Sequence, residues 1–420
     1  MAMIDDLKRI PGKVALEQFD ISAFSKDKIR EIFRSGKIPT AEVMMDEILL
    51  RAVKSGASEL HIEPAENELR IRLGFEGVLR KLVTLPKEIS ENLGNVLKTK
   101  ANLNAFEKKK PQEGRFSSSY GVYQVDFRVS TLPILNGERF AIRVIHKSAS
   151  IAKLDQLGFS ATNLEKMKAL LHRSSGLLLI TGPASSGKST TVYAAVNHLA
   201  APDKNIITVE NPIEDRLDFA AQVATSADKT FTFVDALKAI LRQSPNIIMV
   251  GEIRDAETGT VAAEAALTGN LVLSSMLSND AIGAILRMIN LGVPAYWLSS
   301  ALIGIVHQQL VRKICENCKE EYEPAGEEDS ELFSVLSGQT KFFRGKGCDK
   351  CEKTGYLGRT AIHEILPISD QMRDLIYQQA SIIKIREATR LAGFENILQD
   401  AVKKVTGGET TISEFVRVLG

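Results

Sequence analysis

The sequence predicts an α/β fold, preceded by a smaller α+β domain and followed by a cysteine-paired subdomain and C-terminal helices. Three observations carry this. Short apolar runs of the fully buried type ("NIITVE", "NIIMVGE", "NLVLSS") alternate with helical stretches, as a parallel sheet covered on both faces requires. The run "GLLLIT" (Gly176–Thr181) passes directly into the glycine-rich stretch "GPASSGKSTT" (Gly182–Thr191). All four cysteines fall in two C-x-x-C pairs, "CENC" and "CDKC". At 420 residues the chain exceeds one ordinary core, so two or three domains are expected.

Residues 1–40 are mixed and weakly periodic, carry no motif, and read as an N-terminal extension of helical fragments and linker. An α+β domain is expected over 41–147. It opens with "AEVMMDEILLRAVKSGASELHIEP", apolar at helical spacing, then a glycine-containing turn and a strand. The alternating runs "ELRIRLGFEGVLRKLVTL", "YGVYQVDFRVSTLP" and "ERFAIRVIHK" add strands, with a basic helix over Asn92–Lys110 among them. A connector with one amphipathic helix spans 148–175, the parallel α/β core 176–312, the cysteine subdomain 313–352 and a helical region 353–420. The last is read from "MRDLIYQQ" and "IIKIREATRLAGF". No internal repeat is present.

The glycine-rich stretch reads G-x-x-x-x-G-K-[ST] between a strand and a helix, the context a P-loop needs. Gly182 and Gly187 let successive backbone N–H groups converge on phosphate oxygens at a helix N-terminus. Lys188 reaches for the β- and γ-phosphates and is also a candidate in catalysis, and the Ser189 hydroxyl is placed to ligate Mg²⁺. Ser185 and Ser186 add donors, and Pro183 and Thr190 complete the candidate nucleotide-binding stretch. The pattern predicts binding of a nucleoside triphosphate.

Two acids stand at strand ends where a hydrolysis site needs them. "NIIMV" ends at Gly251-Glu252, so Glu252 alone holds the position of a water-orienting base or Mg²⁺-shell ligand, the usual neighbouring aspartate being Gly251. "ITVE" delivers Glu210. Each C-x-x-C places two thiolates on one tetrahedral ion, so Cys315, Cys318, Cys348 and Cys351 read as a closed structural Zn²⁺ site. The intervening "KEEYEPAGEEDSE" is acidic and irregular, a loop whose ends need tying.

Composition excludes other classes. The formal net charge of +1 gives no global basic field, and no basic-aromatic stripe marks a nucleic-acid groove. The opening "MAMIDDLKRI" lacks an apolar secretory segment, and no apolar run approaches the roughly 18 residues that cross a bilayer. The expected location is the cytoplasm.

The motifs "TGPASSGKSTT", "ITVENPIE", "VGEIRDAET", "LTGNLVLSSMLSNDA", the cysteine pairs and "TGYLGRTAIHEIL" together resemble the type II secretion and type IV pilus assembly ATPases, the GspE/PilB family, from about Ala41 to Gly420. The resemblance implies a RecA-like ATPase domain hinged to the α+β domain, with ATP bound between them. It implies a homo-hexamer that drives an inner-membrane platform protein, recruited to the membrane face through partners. It also assigns Arg128 ("DFRVSTLP") and Arg143 ("AIRVI") as arginines reaching the nucleotide, where guanidinium charge neutralises the γ-phosphate. The chain departs from the family pattern at Asn211, in place of an aspartate, and at Asn270 and Leu277, in place of two histidines. Asn270 retains a hydrogen-bond donor for a phosphate and Leu277 does not. Slow turnover is expected on that count. A hydrolysis-poor regulatory ring subunit and a nucleic-acid-translocating ring are the alternatives.

Overall fold

The chain divides into two units, residues 1–149 and 150–420, each compact in itself. The computed structural model describes residues 40–75, 77–146, 151–225, 230–323, 341–351 and 353–420. The N-terminal extension therefore lies outside the described residues except for Thr40.

The first unit opens on helix α1 (Ala41–Lys54), N-capped by the Thr40 hydroxyl, which accepts from the Val43 N–H. Strands β1 (Glu59–Pro64), β2 (Leu69–Phe75) and β3 (Val78–Leu85) follow, then helix α2 (Ser90–Lys100) and strands β4 (Gln112–Tyr120), β5 (Tyr123–Ile134) and β6 (Gly137–His146). They form one six-stranded antiparallel sheet in the order β3-β2-β1-β6-β5-β4. Its core joins Met45, Ile48 and Leu49 of α1 and Leu93 and Leu97 of α2 to Leu60, Phe127 and Phe140 of the sheet.

The basic helix expected over Asn92–Lys110 is shorter than its composition suggests. It ends at Lys100 because Asn102 takes a left-handed backbone (φ 57°), and the fully buried Lys98 ammonium donates to the Glu107 carbonyl at 2.6 Å, folding the chain back. The lysines beyond it, at 108–110, lie in irregular chain before β4.

The second unit has a seven-stranded sheet, and chain order alternates strand with helix through most of it. After helix α3 (Ala161–Leu171) come β7 (Gly176–Gly182), α4 (Lys188–Leu199), β8 (Ile206–Glu210), β9 (Ala221–Ala224), α5 (Phe233–Ile240), β10 (Ile247–Val250), α6 (Ala256–Leu267) and β11 (Leu271–Leu277). Helices α7 (Ala281–Leu291) and α8 (Ala295–Ala301) lead into the long strand β12 (Leu302–Ile314). The spatial order is β15-β12-β7-β11-β10-β8-β9, with β15 (Tyr356–Pro367) antiparallel to β12 and the other pairings parallel. Leu177 and Leu179 of β7 enter the core on one face of the sheet, Leu178 and Ile180 the core on the other. Burial on both faces is why the sequence there is continuously apolar.

The region after the second cysteine pair is not wholly helical. Four helices, α9 (Asp370–Tyr377), α10 (Ile382–Leu391), α11 (Ile397–Thr406) and α12 (Ile412–Leu419), follow β15, a twelve-residue strand that closes the edge of the main sheet. Its inner half, "AIHEIL", is buried throughout, and a short buried run carries no period that separates strand from helix. The acidic segment after Cys318 begins as a strand, β13 (Lys319–Tyr322), paired antiparallel with β14 (Phe342–Gly345). Most of the remaining acidic run lies outside the described residues.

Candidate functional site

Strand β7 delivers the loop Gly182–Gly187 to the N-terminus of α4. Gly182 (φ 154°) and Gly187 (φ 85°) hold backbone conformations that favour glycine, and Gly182 has no room for a side chain. A Cβ on Gly182 would lie 2.3 Å from the Gln308 carbonyl oxygen and 2.4 Å from Ser186 Oγ. Ser185 also takes a left-handed backbone (φ 61°). Pro183, Ser185, Ser189 and Thr190 are exposed, and Ser186 is buried with its Oγ lacking a hydrogen-bond partner among the described residues. An unpaired buried hydroxyl beneath a turn of N–H groups fits a bound phosphate, the group that gives such a donor its partner.

The Lys188 ammonium donates to the Gly182 and Pro183 carbonyls at 3.1 and 2.7 Å, so the P-loop lysine is folded over its own loop. Burial pulls its pKa below the ordinary lysine value, and the Glu252 carboxylate works in the opposite direction. Glu252, the carboxylate whose charge acts on Lys188, follows β10. The two strands are not adjacent, since β11 runs between β7 and β10. Glu252 is half-buried and accepts from Arg254 Nη2 at 2.8 Å. Ser275 of β11 braces the turn by donating its hydroxyl to the Gly251 carbonyl at 2.6 Å.

Glu210 sits differently. It is buried, and both carboxylate oxygens are taken: Oε1 accepts from Thr208 Oγ1 at 2.6 Å and Gln222 Nε2 at 3.1 Å, and Oε2 from the Tyr193 hydroxyl. Burial, together with that carboxylate, holds the Tyr193 hydroxyl protonated far above neutral pH. Glu210 thus links β8 to α4, and Tyr193 in turn accepts from the Glu214 and Asp215 N–H groups.

Of the two departures in the histidine positions, only one lies at the phosphate end. In the parallel pairing of β11 with β7, Leu277 stands opposite Gly182 and Leu271 opposite Gly176. Asn270 therefore precedes the far end of the strand, about 20 Å away at 3.3 Å per residue. There its amide donates to the Ala265 carbonyl at 2.8 Å, closing the end of α6, and its carbonyl accepts from Gly176. The expectation that Asn270 offers a donor to phosphate is corrected on that ground.

Sequence reading missed the other wall of the cradle. His307 and Gln308 of β12 lie beside the loop: His307 Nδ1 is 3.3 Å from Thr181 Oγ1, and Gln308 Nε2 donates to the Ser186 carbonyl at 2.7 Å. Burial drives the His307 pKa down to about 4, with Asp280 opposing and Lys188 reinforcing the shift, so the ring is neutral at pH 7. The signal was the polar tripeptide His307-Gln308-Gln309 inside the apolar run "LIGIVHQQLV".

The four cysteines converge. Their Sγ atoms all lie within 4.8 Å of one another, with Cys315–Cys348 at 3.9, Cys318–Cys351 at 3.8 and Cys348–Cys351 at 3.7 Å. A tetrahedron with Zn–S bonds of about 2.3 Å has edges of about 3.8 Å, so the donor set fits Zn²⁺. The separations are too long for disulfides, and all four are free thiols. Backbone N–H groups of Cys348 and Gly355 point at Cys351 Sγ at 3.2 and 3.3 Å, a second ring of donors that favours thiolate.

In the first unit, Arg128 and Arg143 stand directly opposite each other on β5 and β6. They alternate with the buried Phe127, Val129, Ile142 and Val144, which places both guanidiniums on the solvent side of that sheet.

The second unit is thus a RecA-like P-loop core, with one strand interposed between the phosphate loop and the carboxylate-bearing strand. A family model described as "Type II/IV secretion system protein" matches residues 35–417, and the chain belongs to that family. It is 40% identical to the type IV pilus assembly ATPase PilB of Thermus thermophilus, across 98% of this chain and 47% of that protein. It is 41% identical to the type II secretion system ATPase E of Vibrio cholerae, across 89% of this chain and 74% of that one. The chain thus spans about half the length of the pilus relative and three quarters of the secretion relative. A crystal structure of the pilus retraction motor PilT with bound ADP superposes with a TM-score of 0.57 at 25% identity, covering 88% of this chain and 95% of that one. Among the described residues no helix is long and apolar enough to cross a membrane.

Proposed function

We propose that this chain is an ATP-hydrolysing motor subunit of a type II secretion or type IV pilus assembly machine. The observation that carries it is the cradle itself: the restricted glycine turn from β7 into α4 with the buried Ser186 hydroxyl lacking a partner among the described residues, and Glu252 following β10, one strand away. Backbone N–H groups of the loop, the Ser186 hydroxyl and the Lys188 ammonium bind the triphosphate, and Glu252 accepts the proton of the attacking water. The Ser189 hydroxyl would hold Mg²⁺, which would supply positive charge to offset that of the phosphates. Glu210 acts by fixing the wall of the site rather than by touching the reacting atoms, a reading supported by its three internal donors.

Arg128 and Arg143 supply guanidiniums to the γ-phosphate, by analogy with the family and in keeping with their pairing in register. The four cysteines hold Zn²⁺ as a structural ion. The working assembly is a homo-hexamer on the cytoplasmic face of the inner membrane, bound to a platform protein. The test is ATP turnover by the purified chain together with its sensitivity to substitution. Measurable hydrolysis that Lys188→Ala and Glu252→Gln each suppress supports the motor. An unaffected rate in both places the chemistry elsewhere.

A further inference from the structure

We infer that Gln308 of β12 is a positioning residue for the phosphate cradle, its side-chain amide turning the Ser186–Gly187 peptide so that the Gly187 N–H faces away from β12 and toward the anion. The inference rests on the nucleotide reading of this loop. Gln308 is buried, and its Nε2 lies 2.7 Å from the Ser186 carbonyl oxygen. A carbonyl only accepts, so the amide nitrogen is the atom that faces it. In a trans peptide the C=O and the following N–H point in opposite directions, so capturing the Ser186 carbonyl aims the Gly187 N–H away from the strand.

The strand lies against the loop at both glycines of the motif. A Cβ on Gly182 would meet the Gln308 carbonyl at 2.3 Å, and one on Gly187 would meet Gln308 Nε2 at 3.2 Å. Without the latch the Ser186 carbonyl is free to rotate into the cradle, presenting an oxygen to an anion instead of a donor. His307, one residue earlier and held against Thr181, keeps the strand in register with β7. Seven residues on, the chain reaches Cys315, so the cysteine cluster anchors the far end of the strand that carries the latch.

The experiment measures ADP and adenosine affinity for the full chain and for Gln308→Met, which keeps the length and removes the donor. The expected result is ADP binding weakened about three- to tenfold, the worth of one hydrogen bond, with adenosine binding unchanged because only the phosphates use the cradle. Gln308→Glu adds a second readout that a merely structural role would not move. A protonated carboxyl donates to the Ser186 carbonyl and an ionised one repels it, so the affinity gap to wild type should be wide at pH 8 and close toward pH 5.5. Wild-type ADP affinity in Gln308→Met, or equal losses for ADP and adenosine, would overturn the inference. If Gln308→Met does not fold, a pH-independent gap in Gln308→Glu overturns it. A wild-type chain that binds no ADP overturns the nucleotide reading itself.

Discussion

The phosphate cradle and the cysteine cluster are joined by one strand, β12, yet they are built on opposite terms. In the cluster the four sulfurs already sit close to the corners of a coordination tetrahedron, and backbone N–H groups around Cys351 are spent on sulfur. In the cradle the glycines and Ser185 hold left-handed or otherwise restricted backbone, the Ser186 hydroxyl is unpaired among the described residues, and Lys188 rests on its own loop's carbonyls. The difference separates a closed structural site from an open one. A site that uses its donors internally holds the fold; one that keeps donors unspent is made for a ligand that comes and goes.

The contrast breaks most visibly at the cysteines. Cys315→Ser or Cys351→Ser should abolish metal binding and loosen the β13–β14 pairing beside the cluster, because a structural ion would supply folding energy there. Metal analysis of freshly purified protein should find close to one zinc per chain; no zinc, with four titratable thiols in the folded protein, refutes the site. The cradle should respond differently, losing chemistry while keeping fold. Glu252→Gln should retain ADP binding and lower turnover about 10²- to 10⁴-fold, the usual range for removing a general base. Lys188→Ala should weaken ADP or ATP binding about ten- to a hundredfold, as loss of a charge-assisted hydrogen bond predicts, with thermal stability near wild type. A drop in stability as large as that of the cysteine variants would erase the distinction.

How much of this was legible in the sequence differs between the two sites. The cluster was readable in full, since a C-x-x-C spacing dictates the local turn and metal geometry dictates the rest. The cradle was half readable. Gly182, Gly187 and Lys188 follow from a local motif, but His307 and Gln308 come from more than a hundred residues downstream, and only the register of β12 against β7 brings them to the loop. Strand β15 was missed for a related reason: the buried run "AIHEIL" has no period, and its identity is set by pairing with β12. Glu210 was found by its position at a strand end, but its role depends on Tyr193 and Gln222, which no spacing links to it.

The smallest effect sharpens the comparison within a single strand. Leu277 and Asn270 both replace histidines of the family pattern, but they lie at opposite ends of β11, one beside Gly182 and the other beside Gly176. Leu277→His places a donor at the phosphate end. If the γ-phosphate is under-coordinated, one charge-assisted hydrogen bond of about 1.5–3 kcal/mol raises turnover about tenfold or more. Asn270→His acts about 20 Å from the cradle, so it should leave the rate unchanged. Its cost is the hydrogen bond to the Ala265 carbonyl that closes α6, about 1 kcal/mol of stability unless the imidazole finds the same acceptor. The two single variants, assayed for turnover and for thermal unfolding, therefore separate rate from stability along seven residues. A rate gain from Asn270→His alone would show that the far end of β11 communicates with the cradle, and no gain from Leu277→His in a folded protein would show that this position does not limit hydrolysis.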